Sequence, residues 1–414
     1  MREDTDSPVA RAAAALPAGA LDEQSLRQHI TPLFSRHRAA YGERIYLANH
    51  SLGRPLDATA VDVGKGLDAW YAGMGGAWEA WQRECDRHRA RLAQLMHAPR
   101  ADCVVPKTSA GQGLRAVLNT FDSPPRVVTT EGEFDSLDVI LREYARRGRI
   151  HANPVFVPAR GDGCFATDDI VAAVRRGCDL VVVSEVMFAS GQRIGDVNSI
   201  VAAAHASGAR VLLDVYHSLG VFDVDVAALG VDYAVGGCYK YLRGGPGACF
   251  LYVAPALLDA HVTTLDIGWF AKAAPLAFAR ADPPRFAEGG DGWLESTPPV
   301  VTYYQARAGL QLLGALGVER VREYSLWQQR QLVAELAERG IAATGGRDDR
   351  GAFVVVRVDE GERVEGMLAE AGVVADVRGD RLRLCPDVVT TADEITRAAA
   401  LLAATLGRRG PLSA

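Results

Sequence analysis

Lysine is nearly missing from this 414-residue chain: of its 45 basic residues only four are lysines, Lys65, Lys107, Lys240 and Lys272. A chain that otherwise writes arginine keeps few lysines, so each one left merits inspection. Apolar runs of the roughly 18 to 20 residues needed to span a bilayer are absent as well. The Ala-rich stretch after Arg11 follows an acidic start, without the basic region of a signal peptide. The reading is a cytoplasmic protein with no membrane partner. Seven cysteines (Cys85, Cys103, Cys164, Cys178, Cys238, Cys249, Cys385) make no CxxC pair and sit near no histidine pair at zinc spacing, which disfavours disulfides and a metal. The net charge is −6 and no basic cluster alternates with aromatics, so nucleic acid is not an expected partner. Internal repeats are absent too.

What is present is ordinary globular composition, 49% apolar and 23% charged. The length suggests two to three domains at roughly 150 residues each. Residues 1–20, rich in Ala, Pro, Ser and Asp without periodicity, read as a disordered tail. Between Cys103 and Val253 short β-branched runs alternate with amphipathic stretches. Strands are predicted at 126–130, 154–157, 180–184, 211–215, 233–235 and 250–253, with helices at 137–147, 168–176 and 200–205. This alternation predicts an α/β fold with a mainly parallel sheet covered on both faces. The last two strands are too close for a helical crossover, which predicts one antiparallel edge. After Ser296-Thr297-Pro298-Pro299 come two long amphipathic segments and a smaller strand-and-helix set. The predicted division is a large domain over 21–300 and a small α+β C-terminal domain over 301–414.

Ligands of parallel α/β sheets bind past the carboxyl ends of the strands, and polar residues gather at three such places. Asp214 ends one strand, with His217 three residues on. It suits either a helix cap or a ligand-binding carboxylate. The next strand leads into Cys238-Tyr239-Lys240-Tyr241 and a glycine-rich turn, which suits an amine near a ligand or a solvated lysine before a loop. Lys107-Thr108-Ser109-Ala110-Gly111-Gln112-Gly113 opens a helix, offering hydroxyls and amides to an anion or simply an N-cap. It matches neither GxxxxGK[ST] nor GxGxxG. A phosphate cradle, an acid for a pyridinium nitrogen and an amine for a Schiff base are together the set that pyridoxal 5′-phosphate (PLP) needs.

The stretch Ser184 to Val253 resembles kynureninases, within the class V aminotransferase branch of fold type I PLP enzymes. The resemblance rests on Gly191-Gln192, on Asp214-Val215-Tyr216-His217-Ser218, and above all on Cys238-Tyr239-Lys240-Tyr241-Leu242-Arg243-Gly244-Gly245-Pro246-Gly247, similar to the family's S/T-Y-K-Y-L-N-G-G-P-G. It extends to Tyr46-Leu47-Ala48-Asn49-His50-Ser51-Leu52-Gly53 and to Gly268-Trp269-Phe270. The implied fold is a large domain with a mostly parallel seven-stranded sheet, plus a smaller α+β domain on which the N-terminal segment packs. By the same resemblance Lys240 would carry PLP, Asp214 would pair with its ring nitrogen and His217 would sit near the ring. Thr108 and Ser109 would bind phosphate and Phe134 would stack on the ring. Tyr239 would bind phosphate and transfer protons. Trp269 and Thr297 would reach the cofactor of a neighbouring subunit, which implies a homodimer. Arg383 would grip the substrate carboxylate through its bidentate fork, with Arg381 as its rival. Asn49 and Lys272 would contact substrate.

The implied reaction is hydrolysis of the Cβ–Cγ bond of L-kynurenine or a related amino acid. Transamination, epimerisation or another carbon–carbon bond reaction is the alternative. Departures cluster on the substrate side. The family's G-W-F-G-H reads Gly268-Trp269-Phe270-Ala271-Lys272, its V-N-Y-K/R-T-G reads Val186-Met187-Phe188-Ala189-Ser190-Gly191, and F-P-T-D becomes Phe134-Asp135-Ser136-Leu137. Trp70, Trp78 and Trp81, at near-helical spacing, read mostly as packing, and Cys238 and Cys385 as small apolar fillers. Lys107 reads as either a phosphate neutraliser or a helix-end cap.

Overall fold

The computed structural model describes residues 7–278 and 280–407. Its longer elements begin with α1 (Pro8–Ala14), β1 (Ile45–Tyr46), α2 (Asp57–Gly73), α3 (Ala77–Leu95), β2 (Val104–Lys107), α4 (Ala110–Leu118), β3 (Val127–Thr130), α5 (Asp135–Arg146) and β4 (Val155–Val157). Then come α6 (Thr167–Val174), β5 (Leu180–Ser184), α7 (Val197–Ala206), β6 (Arg210–Asp214), β7 (Tyr233–Gly237) and β8 (Cys249–Val253). The C-terminal part comprises α8 (Val300–Leu316), α9 (Val318–Glu338), β9 (Ala343–Thr344), β10 (Val354–Arg357), α10 (Gly361–Glu370), β11 (Val373–Val374), β12 (Asp376–Arg378), β13 (Arg381–Leu384) and α11 (Ala392–Gly407).

Strands β2 to β8 form one sheet of seven in the order β2-β8-β7-β6-β5-β3-β4. From β7 to β4 all neighbours are parallel, with α5, α6 and α7 among the connections. Every residue of β5 is buried, as a strand covered on both faces requires. The antiparallel member differs from expectation in place: β8 runs against β7 but is not the edge, because β2 pairs antiparallel along its other side. Chain order hid this, since β2 lies far upstream of β8. The register brings Ser184 opposite Asp214 and Asp214 opposite Val235, so β5 and β6 finish level and β7 runs two residues further, to Gly237.

The second sheet is antiparallel, β12-β13-β10-β9, and its core includes Leu332, Val354, Val356, Leu382 and Ile395. Ile45 and Leu47 join that core, and β1 pairs with β11. From there the chain turns back to the large sheet, where the Gly53 amide donates to the Tyr239 carbonyl at 2.7 Å. A Cβ on Gly53 would lie 2.1 Å from the Lys240 carbonyl oxygen, so only glycine fits there.

Two expectations are corrected. Part of the 1–20 tail is ordered: Ser7 caps α1 by accepting from the Ala10 amide, Pro8 starts the helix, and Val9 is buried with Ile30, Phe34 and Leu312. The apolar pair Val9 and Ala13, four residues apart, supplies the buried face. Helix α8, read as the start of the small domain, packs against α2 and α3 instead. Its Tyr304 ring lies against bare Gly66 of α2.

Candidate active site

The ends of β5, β6 and β7 put Asp214, Ser184 and the 238–240 loop at one cavity of about 180 Å³, lined also by Thr108, Ser109, Phe134, Phe188, Tyr216, His217, Tyr239 and Lys240. Asp214 closes β6, and its Oδ1 accepts from the Tyr216 amide at 2.8 Å. Burial pushes its carboxyl upward, against that amide and the nearby Lys240 charge. Lys240 is buried, with its Nζ 2.7 Å from His217 Nε2. Burial drives the amine down, opposed by Asp214 and assisted by Arg383. The same burial, with Lys240 next, holds His217 far below the ordinary imidazole range. Two cations at 2.7 Å in a dry site would repel strongly, so His217 faces the amine as neutral imidazole. Its Nδ1 lies 3.3 Å from the Tyr241 hydroxyl.

Aromatic rings surround this amine: Tyr216, Phe134 and Tyr239 have centroids 5.4, 5.7 and 5.8 Å from Nζ. Tyr216 packs where Gly237 has no side chain; a Cβ there would lie 2.5 Å from its ring. Phe134 precedes the first residue of α5 and meets Phe188 edge-on at 5.4 Å. Burial raises the Tyr239 phenol to about 12.

At the other wall α4 points its N-terminus at the cavity. Ser109 caps it, Oγ accepting from the Gln112 amide at 3.1 Å. The Gln112 side chain accepts at Oε1 from the Thr108 amide and hydroxyl and donates from Nε2 to Glu295 Oε2. Lys107 caps a helix end: buried, it donates at 3.1 Å to the carbonyl of Trp293, the last residue of the short helical turn Gly289–Trp293, and pairs with Glu295 Oε1 at 2.9 Å. The N-terminal end of the α4 dipole and the two hydroxyls suit an anion such as a phosphate monoester.

The remaining sequence candidates are elsewhere. Arg383 is buried behind Phe188, donating from Nη1 to the Phe188 carbonyl and from Nη2 to Asp376 Oδ2, each at 2.6 Å. Asn49 does not face the Lys240 cavity; its Oδ1 accepts weakly from Arg243 at 3.5 Å, next to the buried Arg243–Asp387 pair. The bridge of Ala48 to Cys385 sets the chain direction here and sends Asn49 and His50 to different neighbours. Lys272 lines a separate cavity of about 300 Å³ with Trp78, Trp81 and Phe270. Trp269 stacks on Phe278 and Thr297 is exposed; neither lines the Lys240 cavity of its own chain.

Sequence reasoning missed Tyr216, Ser184, Glu133, His50 and Asp376. Tyr216 lay inside a quoted motif without a role. Glu133 accepts from Thr130 Oγ1 at 2.6 Å and Ser184 Oγ at 2.5 Å, and burial lifts its carboxyl to about 7 against those bonds. A glutamate just past a strand end was its only signal. Among the described residues, no cluster of three His, Cys, Asp or Glu could hold a metal, and no helix is long and apolar enough to cross a membrane.

A near-neutral amine, a carboxylate, stacking rings and an anion seat around one cavity fit a cofactor that carries an aldehyde, a basic ring nitrogen and a phosphate. Comparisons with known proteins agree. The family described as aminotransferase class-V matches residues 74–382. The kynureninase of Deinococcus radiodurans is 31% identical over 81% of this chain and 83% of its own. That of Pseudomonas fluorescens is 28% identical over 88% and 90%. Among solved structures, the lyase C-DES with glycine covalently linked to PLP superimposes with a TM-score of 0.80 at 20% identity, covering 89% of this chain and 98% of its own. That last likeness concerns the fold, which is fold type I.

Proposed function

We propose, for a chain that belongs to the class-V aminotransferase family of PLP-dependent enzymes and groups with its kynureninases, that it hydrolyses the Cβ–Cγ bond of L-kynurenine or a related amino acid. The products are alanine and a carboxylic acid. The observation that carries this reading is the Lys240 amine, buried and facing neutral His217, in one cavity with Asp214 and the α4 N-terminus. PLP, when bound, supplies the electron sink that stabilises a carbanion next to the amino-bearing carbon.

The chain's residues divide the remaining work. Thr108, Ser109 and the α4 amides would seat the phosphate. Asp214 would keep the ring nitrogen protonated, and Phe134 with His217 would hold the ring. Lys240, whose amine is shifted toward neutrality, is suited to take a proton from the substrate's Cα once substrate has displaced it. Tyr239, with a phenol that stays protonated, is suited to deliver a proton to the Cβ left behind when the Cβ–Cγ bond breaks. Arg383 would hold the α-carboxylate and so fix which bond faces the cofactor.

A second copy of the chain completes the site in this reading. Trp70, Tyr71, Met74, Leu265 and Phe278 are large exposed apolar side chains that a second copy would cover. Trp269 and Thr297 then serve the partner's cavity, and Lys272 a substrate end shared between subunits. Free cysteines throughout suit a reducing, cytoplasmic setting. Met187 and Phe188, where the family carries an amide and a phenol, support a second reading, another class V reaction on an amino acid.

The test mixes PLP-loaded protein with L-kynurenine and follows anthranilate fluorescence. Anthranilate release together with alanine supports the hydrolase. Amino transfer to an added α-keto acid without anthranilate supports the second reading.

A further inference from the structure

Two buried polar groups beside the Lys240 cavity lack partners. His50 has no solvent exposure, and neither ring nitrogen has a hydrogen-bond partner among the described residues. Arg383 Nε, also buried, has none either. Both side chains lie against the Phe353 ring, His50 with centroids 4.8 Å apart and the Arg383 guanidinium carbon 5.6 Å from the ring centre. Both also approach one oxygen: Asp376 Oδ2 accepts from Arg383 Nη2 at 2.6 Å and lies 3.7 Å from His50 Nε2. Buried polar groups are nearly always paired, so neighbouring orphans mark the place of an absent acceptor. A plain packing role against Phe353 would be met better by an apolar ring.

We propose that His50 is a specificity-determining residue that donates its ring N–H to the substrate's α-carboxylate when that group binds Arg383 through the open Nε. The proposal rests on the reading of Arg383 given above and adds a residue to it. It also explains how Arg383 can serve while paired. Asp376 is held by Arg383, by Arg378 at 2.6 Å and by the Ser51 hydroxyl, so it stays in place. An incoming carboxylate then meets a like charge across one guanidinium. A further donor at that spot offsets the repulsion, and His50 is the group positioned to give it. The charged or titratable groups around His50 are Arg383, Arg378, Asp376, Lys240, His217 and Cys385. The cations among them, after burial itself, keep the imidazole neutral, so it donates as a neutral N–H and no proton uptake is required.

The experiment titrates holoenzyme calorimetrically with two probes lacking the amino group, 4-oxo-4-phenylbutanoate and its carboxamide. The proposal predicts that His50→Phe weakens the carboxylate probe about 10- to 100-fold and leaves the carboxamide unchanged. His50→Gln, which retains an N–H donor, should keep most of the carboxylate preference and guards against a misfolded variant. Equal weakening of both probes in His50→Phe, or no weakening, overturns the proposal. Arg383→Ala separates the two levels. If it abolishes the carboxylate preference while His50→Phe does not, only the role of His50 falls. If it leaves the preference intact, or wild type shows none, the placement of the carboxylate at Arg383 falls and this inference with it.

Discussion

Lys240 Nζ and His217 Nε2 face each other at 2.7 Å inside the protein, and neither can carry a full charge without cost to the other. Burial is the first cause of both shifts, which makes the amine a nucleophile near neutral pH rather than a solvated ammonium.

The pH dependence of cofactor capture follows. With the amine drawn down to about 7, mainly by burial, the rate at which apoenzyme captures PLP should rise with pH and level just above 7. An ordinary lysine would keep rising toward roughly 10.4. Asp214 is the charge that holds the amine up, so Asp214→Asn should move the plateau to lower pH. Stopped-flow absorbance reads this, and a rate still climbing through pH 9 in wild type contradicts the assignment.

Arg383→Ala should lower kcat/KM for the amino acid substrate by about 1.5–3 kcal/mol, the cost of removing a charged hydrogen-bond partner. Arg381, two residues earlier on β13 and partly exposed, should change it by less than about threefold when made alanine. Steady-state kinetics of the pair decides; the reverse ranking transfers the role to Arg381.

Asp387 is buried between Arg54 and Arg243, accepting at 3.1 Å from the first and from both Nη groups of the second. Burial alone would raise its carboxyl, but the two guanidiniums outweigh burial and hold it at about 2. Because the folded value lies below the unfolded one, this stability is present above about pH 3.9 and is lost as pH falls toward 2. Asp387→Asn should cost about 3–5 kcal/mol in urea unfolding at pH 7, since it strands two buried cations. The gap to wild type should close in acid. A cost under about 1 kcal/mol at pH 7 contradicts the account.

How much of this was legible in the sequence depends on the distance each signal spans. Asp214 and Lys240 could be read because strand-end polar residues obey local rules, and the rarity of lysine singled one of them out. Thr108 and Ser109 announced a helix start, and the structure adds that this start faces the same cavity. That Asn49 lies outside the lining of the Lys240 cavity could not be read locally, because the chain there is placed by the bridge from Ala48 to Cys385, more than 300 residues away. Asp376 and His50 stayed hidden for the same reason. The order of residues 8–14 depends on a groove built by Ile30, Phe34 and Leu312, which composition alone does not show.

Glu133 gives a stability test of opposite sign. Burial raises its folded value to about 7, above the roughly 4.3 of an unfolded glutamate. The stability it adds is therefore complete below pH 4 and is lost as pH rises through 7. Glu133→Gln removes that dependence, so wild type should lose stability relative to the variant between pH 5 and pH 8. Urea titrations at the two values measure it. A difference that does not change with pH contradicts a buried carboxyl that holds its proton.

The account stands most directly on the identity of the lysine that carries the cofactor, and the scarcity of lysine makes this a clean measurement. PLP-loaded protein is reduced with borohydride, digested, and its pyridoxyl-bearing peptide located by mass spectrometry. The account predicts label on Lys240 and none on Lys65, Lys107 or Lys272, with no labelled peptide from Lys240→Ala. Label on Lys272 or Lys107, or on no lysine at all, contradicts it.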